Sequence, residues 1–252
     1  MGYRCIQKQL RDTFGRQKAL AEKRLDIVNH HTFIEDPLRL YRAVQLTARF
    51  ELEATPELRQ LAHEMVRKKM LDELPKERVF EEIKKLLLKS NKPSIGFALM
   101  DGFGMLDTFP ELKALQGVAQ DPGYHPEGDV WVHTMMVLDE MTKLHSEDKK
   151  KSLYLSLAAL CHDLGKADTT EIIDGRIRAI GHESTGIPLT VTFLERLSEE
   201  KDLVETITPL VKHHLKPMQF YKQGAKSAAI RRLANQVNIE ELILLAKADF
   251  LG

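Results

Sequence analysis

The chain has 252 residues, 43% of them hydrophobic, and carries equal numbers of acidic and basic side chains. This composition is ordinary for a globular protein, and no apolar run approaches the roughly 18 residues that cross a bilayer. The first residues lack the apolar segment of a signal peptide, and the two cysteines, Cys5 and Cys161, form neither a Cys-x-x-Cys pair nor a disulfide framework. These features exclude a membrane-spanning or disulfide-stapled secreted protein and predict a cytoplasmic one.

The charge is unevenly distributed along the chain. Residues 1–90 carry 19 Lys+Arg against 14 Asp+Glu, whereas residues 91–252 carry 18 against 23. A basic N-terminal part is a weak indication of a nucleic-acid partner. A solvated helical surface explains the same balance equally well, so charge alone leaves both interpretations open.

The N-terminal part shows helical periodicity nearly throughout. A first-turn proline, Pro37, and the sequence Thr55-Pro56-Glu57 mark two helix starts. The apolar spacing predicts helices over 36–50, 55–70, 75–90 and 94–109. The segment between Gly117 and Gly128, rich in Gly, Pro and Asp, is the best candidate for a domain boundary.

The C-terminal part is predicted to be helical as well. The expected helices cover 130–144, 152–166, 182–198, 202–215, 227–237 and 238–252. Asn238 and Glu241 form a plausible capping pair for the last one. Only 170–179 indicates strands, joined at Asp174-Gly175. We therefore predict an all-α fold with at most one small β-hairpin, in which a helical region over 1–116 precedes a helical bundle over 117–252.

Ionisable side chains are spread over the apolar C-terminal helices. His162 and Asp163 lie next to each other on a Leu- and Ala-rich helix, where burial is costly unless each has a partner. We expect Gly165 to end that helix in the left-handed conformation. Any one helix histidine is more often a core or surface residue than a ligand. The candidate set is His133, His162, Asp163, His182, His213, His214 and Asp249. Imidazole and carboxylate ligands suit Mn, Fe, Ni or Zn, and carboxylate with water suits Mg.

The order of these residues resembles a known superfamily. The arrangement His133, His162-Asp163, Asp249 is similar to that of the HD superfamily of metal-dependent phosphohydrolases. The flanking sequences HTMMVLDEM, AALCHDLGK and IGHES resemble the HD domain at the C-terminus of bacterial class II tRNA nucleotidyltransferases, the CCA-adding enzymes and poly(A) polymerases. The resemblance covers about residues 120–252.

This resemblance implies a metal site and a reaction. A divalent ion held by the four residues of the ordered set would activate water for attack on the phosphorus of an ester. A second ion is implied at His182 and at one or both of His213 and His214, with Asp163 as the natural bridge. Lys166 either neutralises the phosphoryl oxygens or serves as a cation at the C-terminus of its helix.

Two further residues near the set have open or modest roles. We expect Cys161 to be a packing residue that points away from His162. His125, in the loop sequence YHPEGD, is either a substrate contact or a plain loop residue, and the second interpretation is slightly favoured.

The N-terminal part resembles the same tRNA nucleotidyltransferases over 34–58 and 74–87. In the resemblance, Glu35, Asp36 and Arg39 correspond to the element that pairs with the base of an incoming nucleotide. The residues alone equally suggest a helix start with acids in its first turn and an Asp36–Arg39 pair. Only about 34 residues precede Glu35, and they contain no Gly-rich turn followed by Asp-x-Asp. We therefore expect the nucleotidyltransferase catalytic domain to be absent, or supplied by a separate chain.

Two functions follow as the main hypotheses, and a diiron oxygenase is a weaker third that nothing in the sequence selects. The first is a metal-dependent phosphohydrolase, of phosphomonoesterase or 2′,3′-cyclic phosphodiesterase type, acting on nucleotides or RNA ends. The second is a non-catalytic tRNA-binding module of a CCA-adding enzyme. The sequence does not fix the metal, the number of ions, the physiological substrate or the oligomeric state.

Overall fold

The structure, a computed structural model, describes residues 16–252, so Cys5 lies outside it. The N-terminal part is built from helices, as predicted. They are α1 (Arg16–Ala21), α2 (His30–Glu35), α3 (Leu38–Phe50), α4 (Pro56–Arg67), α5 (Lys76–Lys89), α6 (Pro93–Gly102) and α7 (Pro110–Lys113), with a 3₁₀ helix (Met105–Thr108) before α7. The helix expected over 94–109 is thus two elements, because Gly104 adopts a φ of 76° between them.

The C-terminal part contains the expected helices with small shifts of their ends. They are α8 (Val130–Thr142), α9 (Lys149–Cys161), α10 (Lys166–Thr169), α11 (His182–Leu197), α12 (Lys201–His213), α13 (Lys216–Gln223), α14 (Ser227–Ala234) and α15 (Ile239–Leu251). The short α13 was not predicted. Among residues 16–252, no helix combines the length and apolarity needed to cross a bilayer.

Two pairs of short strands accompany the helices. The predicted hairpin is confirmed: β3 (Thr170–Ile173) pairs antiparallel with β4 (Arg176–Ala179). Its turn residues Asp174 and Gly175 have φ values of 51° and 73°, as the favoured two-residue turn requires. The expectation of at most one hairpin holds among the described residues. A second pair of strands, in which β1 (Arg24–Leu25) runs parallel to β2 (Glu53–Ala54), was not predicted. At two residues per strand, this pair carries no hydrophobic alternation from which it could be predicted.

Side-chain caps fix the starts of the helices that matter for the site. Asp129 accepts a hydrogen bond from the Val132 amide at 2.9 Å and so begins α8. Asn238 accepts from the amides of Glu240 and Glu241 at 3.0 and 3.3 Å and begins α15, which confirms the predicted Asn cap. These caps set where α8 and α15 present their polar side chains.

The hydrophobic core is continuous across the predicted boundary at 117. Helix α6 packs on α8, and α5 packs on α9 and α11. The Ser94 amide and hydroxyl donate to Asp139 at 3.0 and 2.6 Å, which fastens the start of α6 to α8. Helices α8, α9, α11, α12 and α15 form the bundle that surrounds the candidate site. The division into two domains at this point remains a prediction.

Gly165 does not end a helix in the left-handed conformation, contrary to expectation. Its φ is −68°, and α9 has already ended at Cys161. A Cβ atom at Gly165 would lie 2.1 Å from the carbonyl oxygen of His182 and 2.6 Å from the amide nitrogen of Gly186. A glycine is therefore required because two backbone segments touch here, which brings the residues after α9 against the start of α11.

Candidate metal centre

Histidine and aspartate side chains from five helices or helix ends converge in the bundle. They are His133 on α8, His162 and Asp163 after α9, His182 at the start of α11, His214 after α12 and Asp249 near the end of α15. His133 Nε2 lies 3.1 Å and His162 Nε2 3.7 Å from Asp249 Oδ1. These three residues form one possible cation-binding group.

A second group lies directly beside the first. Asp163 Oδ1 is 3.3 Å from His182 Nε2 and 3.9 Å from His214 Nε2. The other oxygen, Asp163 Oδ2, is 3.2 Å from His162 Nε2 and 3.8 Å from His133 Nε2. Asp163 therefore offers one oxygen to each group, which is the position that the sequence resemblance implied for it.

Backbone carbonyls fix the tautomers of three of the histidines. His162 Nδ1 donates to Ala159 O, His182 Nδ1 to Ala179 O and His214 Nδ1 to Val211 O, at 2.8, 2.7 and 2.7 Å. Because a carbonyl oxygen only accepts, each Nδ1 carries a proton, and a ring that holds only this one proton presents its Nε2 lone pair to the cluster. This is the arrangement found around metal-ligating histidines.

The cluster has unsatisfied acceptors that a cation would satisfy. His162 Nε2 is buried without an aligned hydrogen bond to a described residue, and it is a free acceptor once the ring holds a single proton. His182 Nε2 and His214 Nε2 lie 3.3 Å apart, so two nitrogen lone pairs face each other. Nitrogen and carboxylate donors in this arrangement fit a divalent transition-metal ion.

Electrostatics keep the acids ionised. Burial disfavours charge on all of these groups, but the neighbouring carboxylates raise the pKa of His162 to about 8. In the same way, the surrounding histidines and Lys166 overcome burial and hold the pKa of Asp163 well below its usual value. For Asp249, the contact with His133 and the other nearby histidines overcome burial and lower the pKa to about 2. For His214, burial and the nearby His162 lower the pKa to about 4. Ionised carboxylates and a neutral imidazole are the ligand states that metal binding needs.

Lys166 contacts the cluster directly. Its Nζ lies 2.6 Å from Asp163 Oδ2 and donates to Gln120 Oε1 at 2.8 Å. The residue begins α10 and lies outside the last turn of α9, so the alternative of a C-terminal helix cation does not hold. Cys161 is fully buried and its burial raises the pKa of the thiol, in keeping with the expected packing role.

Sequence reasoning missed Glu127, and both of its interpretations of His125 stay open. Glu127 Oε1 lies 2.9 Å from His133 Nδ1 and 2.8 Å from His125 Nδ1. The His125 ring packs edge-on against His133 at 4.6 Å between centroids. The available signal was position: His125 and Glu127 stand in the loop that leads directly into α8, eight and six residues before His133.

One predicted ligand stays outside the cluster. The side chain of His213 neighbours Gln236, and burial lowers its pKa. Among the described residues, His213 belongs to none of the groups of side chains that could hold a cation, whereas its neighbour His214 does. Only His214 is brought to the site.

The Glu35, Asp36 and Arg39 motif lies apart from this cluster, with no hydrogen bond or ion pair to it in the described chain. Glu35 pairs with His31 at 3.0 Å, and Asp36 pairs with Arg78 at 3.3 Å. The Asp36–Arg39 side-chain pair is therefore not formed. Base pairing by this motif stays a prediction.

Comparison with known proteins gives two family matches. The model described as "Probable RNA and SrmB- binding site of polymerase A" matches residues 51–116, and the one described as "HD domain" matches residues 130–251. The second range contains every member of the histidine and aspartate cluster.

Relatives extend over nearly the whole chain. A multifunctional CCA protein of Cupriavidus metallidurans is 35% identical over an alignment of 250 residues, which covers 96% of this chain and 58% of that protein. One of Nitrosospira multiformis is 34% identical over 205 residues, or 81% of this chain and 47% of that protein. The chain thus spans about half the length of these relatives.

Solved structures show the same fold. A CCA-adding enzyme in an apo form aligns with a TM-score of 0.62 at 17% identity, over 96% of this chain and 49% of that one. The Thermotoga maritima CCA-adding enzyme complexed with tRNA aligns with a TM-score of 0.59 at 16% identity, over 95% of this chain and 50% of that one.

Proposed function

The chain has an HD domain and is homologous to the C-terminal region of multifunctional CCA proteins, and on this premise we propose that it is a metal-dependent phosphohydrolase. Its substrates would be phosphomonoesters or 2′,3′-cyclic phosphodiesters of nucleotides or RNA ends. The observation that carries the proposal is the position of Asp163, whose two oxygens face two separate groups of histidines.

The residues would hold the metal as follows. His133, His162 and Asp249 form one ligand group, and His182 and His214 form the other, with Asp163 shared between them. When bound, divalent ions supply Lewis-acid polarisation of a phosphoryl oxygen and activate water for attack. The metal is one of Mn, Ni, Mg, Fe or Zn, with one or two ions per chain.

Lys166 would supply the fixed positive charge of the reaction. Its side chain is mostly buried and its ammonium is held by Asp163 and Gln120, so the charge is positioned before a substrate arrives. A preorganised cation stabilises charge that develops on phosphoryl oxygens in the transition state. Asp163 therefore has two roles, as a ligand and as the group that positions Lys166.

The test is turnover by the purified full chain. Mn²⁺, Ni²⁺ and Mg²⁺ are supplied one at a time with a phosphomonoester and with a 2′,3′-cyclic nucleotide. We expect turnover with at least one metal, and its loss by on the order of 10³-fold in Asp163→Asn. Asp168→Asn, the same chemical change on an exposed side chain of α10, should retain activity. Absence of turnover with every metal, or full turnover by Asp163→Asn, rejects the proposal.

RNA binding is a second function with its own observation. Residues 51–116 match the polymerase A RNA-binding model. The excess of basic side chains lies just before them, since residues 1–50 carry 10 Lys+Arg against 5 Asp+Glu. We propose that this region binds tRNA or related RNA, whose end would reach the HD cluster as substrate. Binding of tRNA should weaken steeply between 50 and 200 mM salt, roughly as a power of the salt concentration. An affinity that does not change with salt contradicts this function while leaving hydrolysis of free nucleotides open.

A further inference from the structure

A cleft lies beside the histidine and aspartate cluster and is lined mostly by residues outside that cluster. Its volume is about 240 Å³, which is small for a ligand pocket and fits one compact ligand. It is bounded by the loop from Ala119 to His125, by the start of α10 and by the hairpin of β3 and β4. Lys166 and His182 line both the cleft and the cluster, so a ligand in the cleft lies next to the proposed reaction centre.

Arg178 supplies a positive charge to this cleft and is free to bind a ligand. It lies on β4, opposite Glu171 in the strand register, and its side chain makes no ion pair or hydrogen bond within residues 16–252. Lys166, in contrast, is already engaged by Asp163 and Gln120. A guanidinium with all its donors free is suited to bind two oxygens of one phosphate.

Tyr124 is an exposed aromatic residue that lines the cleft. Its side chain is 76% exposed although it lines the cleft, and it makes no ring contact with another described residue. Tyr124 and the free cation of Arg178 both line this cleft, and an aromatic face together with a cation suits a single nucleotide. Nucleobases stack on such rings with little dependence on base identity.

We propose that this cleft binds one nucleotide, with its phosphate held by Arg178 beside Lys166 and His182 and its base stacked on Tyr124. The proposal rests on the proposed function in that it supplies a substrate for the adjacent cluster. At about 240 Å³ the cleft has room for no more than a single nucleotide unit, either free or at the end of an RNA strand. The hairpin thereby serves as the substrate-binding wall of the HD domain.

The test measures equilibrium binding with EDTA present, so that it does not depend on metal or turnover. Adenosine monophosphate, adenosine and inorganic phosphate are titrated separately into the full chain by calorimetry. We expect the monophosphate to bind more tightly than either of its parts. Arg178→Gln should weaken binding of the monophosphate and of phosphate, and Tyr124→Leu should weaken binding of the monophosphate and of adenosine, each on the order of ten-fold.

Matched variants separate this site from general charge and surface effects. Arg176→Gln removes the same charge two residues earlier on β4, outside the cleft, and Tyr221→Leu removes another exposed tyrosine on α13. Both should bind the monophosphate as the wild-type chain does. The proposal is overturned if no monophosphate binding is detected, if phosphate alone binds equally well, or if Arg176→Gln weakens binding as much as Arg178→Gln. A chain that binds the nucleotide but never hydrolyses it would instead refute the phosphohydrolase alone.

Discussion

The Nε2 atoms of His182 and His214 lie 3.3 Å apart while the Nδ1 of each ring donates to a backbone carbonyl. Two neutral rings fixed in this way direct lone pairs at each other, which is unfavourable without a cation between or beside them. Asp163 Oδ1, within 4 Å of both nitrogens, completes a group in which a positive ion is stabilised from three sides.

From this relationship we expect His214→Gln to reduce the number of ions bound per chain while leaving the His133, His162 and Asp249 group able to bind. The glutamine removes a nitrogen ligand from one group only. The measurement is elemental analysis after loading with Mn²⁺ or Ni²⁺ and dialysis. His213→Gln is the matched control, because that neighbouring side chain lies by Gln236, and its metal content should equal the wild type. Equal losses in both variants would contradict two separate groups.

Glu127 is predicted to act through His133. Its carboxylate lies 2.9 Å from His133 Nδ1, although the two groups are not aligned as a hydrogen bond. A carboxylate in this position is expected to orient a ligating ring and to strengthen its Nε2 as a ligand. Glu127→Gln should therefore weaken metal affinity roughly 10- to 100-fold, or about 1.4–2.8 kcal/mol, without unfolding the chain. Competition with a metal-chelating dye gives the affinity. Glu140→Gln, on the same helix as His133 but paired with Lys143, is the control and should bind metal normally. An unchanged affinity in Glu127→Gln would mean that the contact does not orient the ligand.

Gly165→Ala should damage the fold at the site. The added Cβ would lie 2.1 Å from the His182 carbonyl oxygen, and backbone atoms cannot rotate out of the way as a side chain can. We expect a loss of about 1–3 kcal/mol in the free energy of unfolding, with weaker metal binding because the start of α11 carries His182. Denaturant unfolding measures the first effect. Gly102→Ala, whose Cβ would only reach ordinary contact with Arg59 at 3.6 Å, should cost nothing comparable. Equal stability of the two variants would show that the backbone contact is not tight.

Much of the fold could be predicted because it depends on local signals. Apolar periodicity located the main helices, Thr55 and Asn238 marked two helix starts, and Asp174-Gly175 marked the hairpin turn. The parallel β1 and β2 pair could not be found in this way, since a two-residue strand has no period. Gly165 was misread for a related reason: its requirement comes from Gly186 and His182, which are distant in sequence.

The candidate site was likewise predictable only in part. The ordered histidines and aspartates converge as the family resemblance implied, but the resemblance could not distinguish His213 from His214, because only the direction of each side chain separates them. Glu127 was missed because its role depends on contact with His133, and its loop carries no periodic pattern. Local chemistry therefore predicted the ligand types, whereas the supporting contacts required coordinates.

A pH dependence of stability is expected from His145, which lies away from the cluster. Its Nε2 is 2.8 Å from the Ser156 hydroxyl, and burial, with a smaller effect of the nearby Lys149 cation, lowers its pKa below the ordinary 6.5. His145 therefore takes up a proton near pH 6.5 in the unfolded chain but only at a lower pH in the folded chain. Because the unfolded state binds more protons in this range, the free energy of unfolding falls as the pH drops below about 6.5. Above that pH both states are neutral at this residue and the effect vanishes.

The His145→Gln variant removes this titration. Glutamine fills a similar space and can donate to Ser156, but it takes up no proton between pH 5 and 8. We expect its free energy of unfolding to fall less steeply than that of the wild type below pH 6.5, by at most about 1.4 kcal/mol per pH unit for one proton. Urea unfolding of the metal-free chains at several pH values from 5 to 8 measures both slopes, and the range above pH 6.5 serves as the internal control, where the two curves should run parallel. If the curves also run parallel below pH 6.5, His145 is not held neutral by burial, because the proton uptake of the unfolded chain would then be matched in the folded one.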